Sequence, residues 1–88
     1  MKIIITNQAK EEMEAIVAYY RDLGYSRYGR RLRLSILKKA LLLKEFPHIG
    51  QEEETLRMLG LNHRYLVDGH YKIVYRIESE TIYLTDNL

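Results

Sequence analysis

The chain contains no cysteine, which excludes disulfides and thiolate metal sites as supplements to its core and suits a reducing cytoplasm. Long apolar runs are missing as well. Ile3-Ile4-Ile5 and Ala40-Leu41-Leu42-Leu43 fall far short of the roughly 20 residues that cross a bilayer. The N-terminus also lacks the basic-then-apolar order of a signal peptide. The expectation is therefore a cytoplasmic chain, neither exported nor membrane-spanning. One stretch lacks acidic residues altogether. From Leu23 to Lys44 there is none, whereas Arg27, Arg30, Arg31, Arg33, Lys38, Lys39 and Lys44 all fall there. The formal charge of +2 hides this, because Glu52-Glu53-Glu54 offsets it in the next segment. A basic segment of this kind attracts an acidic partner or nucleic acid, and it also describes an ordinary solvated helix face. Internal repeats, low-complexity stretches and linkers do not occur. The 88 residues read as a single domain, 1–88, burying only about 60–65% of the surface of the unfolded chain.

What is present has clear periodicity. Lys2-Ile3-Ile4-Ile5-Thr6 is a short β-rich run, and Asn7 after it is suited to cap a helix. That helix carries Ala9, Met13, Ile16, Tyr20 and Leu23 on one face and reaches Gly24, a residue suited to end it. A second helical segment runs from about Ser26 to Glu45 and ends at Phe46-Pro47, since proline disfavours helical geometry in the residue before it. Its apolar residues cover more than half of the circumference. Leu32, Ile36, Ala40 and Leu43 form one stripe and Leu34, Leu37 and Leu41 a second, more than a small two-layer domain buries on one helix face. The second stripe, with Arg30, Arg33 and Lys38 beside it, is the candidate partner-binding surface; the alternative is that it packs on the first helix as core.

From His48 to about Gly60 the chain reads as a loop, with a short strand expected at Leu56-Arg57-Met58-Leu59. Residues 63–67, 71–77 and 81–85 read as successive strands, with turns at Asp68-Gly69 and Glu78-Ser79-Glu80. The order β-α-α-β-β-β predicts an α+β fold, a helical hairpin packed on a small antiparallel sheet, and argues against alternating βαβ units. In the central strand Tyr71, Ile73, Tyr75 and Ile77 should face the helices. Lys72, Val74 and Arg76 would then lie on the open face, where Arg64 or a neighbour on the adjoining strand would join them. Basic side chains there would bind phosphates or simply be solvated.

No catalytic or cofactor motif stands out. His48, His63 and His70 have no common helix-face or ladder spacing that would make a metal site, and no cofactor is expected. Ser26, Ser35 and Ser79 have no His and Asp arrangement around them, and the glycines form no phosphate-cradling loop. The tyrosines have faces on which bases could stack, but Tyr20, Tyr71 and Tyr75 lie in apolar patterns that indicate core.

Taken in order, Asn7-Gln8-Ala9-Lys10-Glu11-Glu12, Phe46-Pro47-His48-Ile49-Gly50, Arg64-Tyr65-Leu66-Val67 and Tyr71-Lys72-Ile73-Val74-Tyr75-Arg76-Ile77 resemble the RelE/ParE toxin superfamily over essentially the whole chain. The pattern is most similar to the ParE-like, plasmid-stabilisation branch. The resemblance implies a growth-inhibiting toxin neutralised by a cognate antitoxin, with operator DNA reached only through that antitoxin. It implies two alternative activities: ParE-like members poison DNA gyrase, and RelE-like members cut mRNA on the ribosome without a metal. For the second, the candidate catalytic residues are Arg64, Lys72, Arg76 and Tyr83. Against it, the sequence reaches Thr85-Asp86-Asn87-Leu88 without the further basic or histidine residues that RelE-like members carry there. An inactive, antitoxin-binding remnant is a third reading.

Overall fold

The computed structural model describes residues 1–87. Strand β1 (Lys2–Ile5) leads into helix α1 (Asn7–Asp22), helix α2 (Ser26–Leu42), a two-residue strand β2 (Gln51–Glu52), a 3-10 helix (Glu54–Leu59), and strands β3 (Arg64–Asp68), β4 (Tyr71–Glu78) and β5 (Thr81–Asn87). The α+β order is the expected one. The five strands lie in the order β1-β5-β4-β3-β2. The meander β2 to β5 is antiparallel, whereas β1 joins its far edge parallel to β5.

Local chemistry explains the ends of the elements. Thr6, not Asn7, caps α1: its backbone is extended and its Oγ1 accepts the Ala9 N–H at 3.2 Å, satisfying one of the helix's unpaired donors. Helix α2 stops at Leu42, and hydrogen-bonded turns carry Leu43 to Phe46 before Pro47. The strand expected at Leu56 to Leu59 is instead the 3-10 helix. The Glu53 carboxylate accepts the Thr55 N–H at 3.3 Å and the Glu53 carbonyl accepts the Leu56 N–H at 3.2 Å, which curls the chain. Met58 and Leu59 consequently point away from any strand partner and are exposed.

Both helices pack on one sheet face. Met13 and Ile16 of α1, with Leu32, Ile36, Ala40 and Leu43, meet Ile73 and Tyr75 of β4 and Ile82 and Leu84 of β5. These are the stripes read from the helical spacing, except that Leu23 lies beyond the core and is exposed. The helices themselves touch at Gly29, where an added Cβ would lie 3.1 Å from Tyr20 Cβ and 3.3 Å from the Val17 carbonyl oxygen. Gly29→Val should therefore push the helices apart and destabilise the fold by about 1–3 kcal/mol, read as a lower melting temperature; an unchanged melt would show that the hairpin can open without loss.

Candidate functional site

The outer face of the sheet is formed by the alternate residues of β4, and pairing decides what joins them. Arg64 pairs with Tyr75 and Tyr65 with Val74, so Arg64 shares the side of Tyr75. Its neighbour Tyr65 shares the side of Lys72 and Arg76. Arg64 is thereby separated from the other candidates, and its guanidinium donates to the Gly50 carbonyl at 2.8 Å. It borders a cleft of about 450 Å³ whose walls include His48, Glu52, Asn62 and Ser79. Tyr83, opposite Arg76 on β5, does belong to the outer face.

Neither outer-face cation is available to a ligand without breaking an internal pair. Lys72 Nζ lies 2.9 Å from Glu53 Oε2 and 4.3 Å from the centre of the Tyr65 ring. Arg76 pairs with Glu78 and lies 4.3 Å from the centre of the Tyr83 ring. Nor is the face wholly open: Val74 is fully buried, and Glu53 and His63 are also buried. The Lys72 hydrogen bond holds the Glu53 carboxyl below the usual carboxylate range, helped by Thr55, and the same bond raises the Lys72 ammonium. Burial lowers the His63 imidazole, as does the nearby Arg76 charge, against the pull of Glu53. His63 was not a candidate from sequence. Its place one residue before Arg64 in an alternating strand was the available signal for this face.

These shifts define a pH dependence. The depressed Glu53 contributes stability above its unfolded value, and that contribution is lost as the pH falls through its folded value. The raised Lys72 contributes below the ordinary lysine range and fades as the pH rises through its folded value. Thermal melts across pH should show both limbs, with Glu53→Gln flattening part of the acid limb. An acid limb identical in the variant would contradict the pairing.

Helix α2 presents a different surface. Its buried side holds Gly29, Leu32, Ile36 and Ala40. On the opposite side Leu34 and Leu41 are 55% and 58% exposed, flanked by exposed Arg27, Arg30, Arg31 and Lys38. Among the described residues none of these four cations forms an ion pair. Two members of the candidate set behave differently. Leu37 is half-buried against the core, and Arg33 reaches back to Glu14 of α1 at 2.9 Å. The second leucine stripe is thus divided, with Leu37 supporting the fold and Leu34 and Leu41 facing outward. Among the described residues there is no cluster of three His, Asp or Glu side chains that could hold a metal ion, and no helix is long and apolar enough to cross a membrane.

The family model described as the ParE toxin of the type II toxin-antitoxin system, parDE, matches residues 3–85. Among solved structures the fold is similar to a chain of the chromosomal ParDE TA system from P. aeruginosa, with a TM-score of 0.80 and 16% identity over 99% of this chain and 92% of that one. At that identity the likeness shows the fold alone. No curated protein matches the chain in sequence.

Proposed function

This chain belongs to the ParE toxin family of type II toxin–antitoxin systems, and on that premise we propose that it arrests growth in the cytoplasm by binding DNA gyrase and is neutralised by a cognate acidic antitoxin seated on the outer face of α2. The observation that carries the proposal is that face: exposed Leu34 and Leu41 between Arg30 and Lys38, which have no ion partners among the described residues. Exposed apolar side chains bordered by unpaired cations favour a protein partner with apolar anchors and carboxylates. A segment that folds on binding can wrap such a helix and neutralise its charge. Inhibition by binding needs an extended interface of about 1,200–2,000 Å², which a helix face with its flanks supplies better than a pocket.

The nuclease alternative is disfavoured by the chemistry of the sheet. Metal-independent RNA cleavage needs a base for the 2′-hydroxyl, an acid for the leaving oxygen and cations for the phosphorane. Here Lys72 and Arg76 already hold Glu53 and Glu78, and the buried Glu53 and His63 are out of reach of a bound strand. The test is to add the purified chain separately to gyrase-catalysed supercoiling and to translating ribosomes. Supercoiling should be inhibited and mRNA left intact. Codon-positioned cleavage abolished by Lys72→Ala would overturn the assignment in favour of the ribosome and mRNA as targets.

A further inference from the structure

The tip of the helical hairpin adds two exposed tyrosines to the N-terminal end of the α2 face, beside Arg27 and Arg31 and beyond the Arg30, Leu34, Lys38 and Leu41 assigned to the antitoxin. Tyr25 and Tyr28 are 62% and 50% exposed. With Gly24, Ser26, Arg27 and Arg31 they line a hollow of about 370 Å³. The Tyr28 ring is fixed from behind: it meets Tyr20 edge-on, centroids 4.7 Å apart at 70°. Tyr20 in turn meets Tyr19 edge-on at 5.1 Å and is packed against the hydrophobic core, as is Tyr71 of β4. The half-exposed Tyr28 is therefore backed by Tyr20, which packs on the core, and it loses little freedom when something stacks on it. Arg27 and Arg31 are exposed and without ion partners among the described residues. The nearest acid before the tip, Asp22, is already paired with Arg21, and none follows as far as Lys44.

We propose that this hairpin tip is a binding site for unpaired nucleotides of single-stranded nucleic acid, with a base stacked in the hollow against the rings of both Tyr25 and Tyr28 and its phosphates held by Arg27 and Arg31. The ring faces are what select this partner. An acidic peptide would satisfy the guanidiniums but leave the tyrosine faces unused, and an apolar peptide anchor would leave the guanidiniums unpaired. A nucleotide matches both features at this spacing. A duplex does not, because its base faces are hidden by stacking, whereas single strands offer them. The site is independent of Arg30, Leu34, Lys38 and Leu41, so its failure and that of the antitoxin surface are separable.

The test is fluorescence anisotropy of the full chain, at low and moderate salt, with a labelled oligothymidylate, the matching oligouridylate and a duplex of equal length. The proposal expects binding of one or both single strands in preference to the duplex, and the two single-strand arms show whether DNA or RNA is favoured. Tyr25→Ala should weaken binding about tenfold, the loss of one stacking contact, and Tyr25→Phe should retain it. Arg27→Gln with Arg31→Gln should reduce the log–log salt slope by roughly 1.4. Tyr25 is exposed, so its variants should fold normally, as circular dichroism can verify. Absence of single-strand binding at low salt, equal affinity for the duplex, or a folded Tyr25→Ala chain with unchanged affinity would each overturn the proposal. The last two results would reduce any binding to general attraction by a basic chain.

Discussion

Replacing Arg30 and Lys38 by glutamate and Leu34 and Leu41 by alanine should weaken antitoxin binding by at least about 100-fold while leaving the chain folded. Fully burying an exposed leucine in a complex is worth about 1.5–3 kcal/mol, so removing two forfeits about 3 kcal/mol, which corresponds to roughly 100-fold. Reversing charges that face an acidic partner adds repulsion to that loss. The free chain should hardly respond, because exposed charges contribute little to stability and both leucines are already more than half exposed. Arg33 is left unchanged in this variant, since its pair with Glu14 ties α2 to α1. Titration calorimetry with the antitoxin, beside a thermal melt, separates the two effects. A folded variant that binds as tightly as the wild type would remove α2 from the account.

The largest effects on stability are expected at Tyr75 and Gly50, which lock the loop after α2 onto the end of the sheet. Tyr75 is fully buried, and its hydroxyl accepts the Gly50 N–H at 3.0 Å and donates to the Pro47 carbonyl at 2.8 Å. Burial pushes that hydroxyl's pKa up, against the Gly50 hydrogen bond, so it remains protonated and able to donate. Tyr75→Phe strands both backbone groups, which costs about 1–3 kcal/mol. At about 4–8 °C per kcal/mol for a domain of this size, the melting temperature should fall measurably. Gly50→Ala should be at least as damaging: its Cβ would sit 2.5 Å from Tyr75 Oη and 2.9 Å from the Tyr65 carbonyl oxygen. The backbone of β3 cannot yield as a side-chain tip can. Because the two residues touch, their effects should not add. A Gly50→Ala chain melting with the wild type would show that the loop is free to move.

Much of this was legible in the sequence where a local period sufficed. Ala9, Met13 and Ile16, then Leu32, Ile36, Ala40 and Leu43, are buried as their spacing required, and the alternation in β4 placed Ile73 and Tyr75 against the helices. What periodicity could not resolve depended on partners distant in the chain. The side on which Arg64 emerges follows from its register with Tyr75, and shifting a strand by one residue exchanges its faces. The neutralisation of Lys72 depends on Glu53, 19 positions away, which composition showed only as part of an acidic run. The parallel placement of β1 beside β5 joins the two ends of the described chain. On α2 the leucine pattern indicated a surplus of apolar surface, but only packing separates half-buried Leu37 from outward-facing Leu34 and Leu41.

The most direct measurement of the central claim is the viable count after induced expression of this chain, alone and together with the gene that neighbours it. The count should fall when the chain is expressed alone and recover when the neighbouring product is present. With that product, the Arg30→Glu, Lys38→Glu, Leu34→Ala, Leu41→Ala chain should no longer be rescued if it retains toxicity. Unimpaired growth on expression of the wild-type chain, or an arrest that the neighbouring product does not relieve, would contradict the reading of this protein as a toxin held in check by binding.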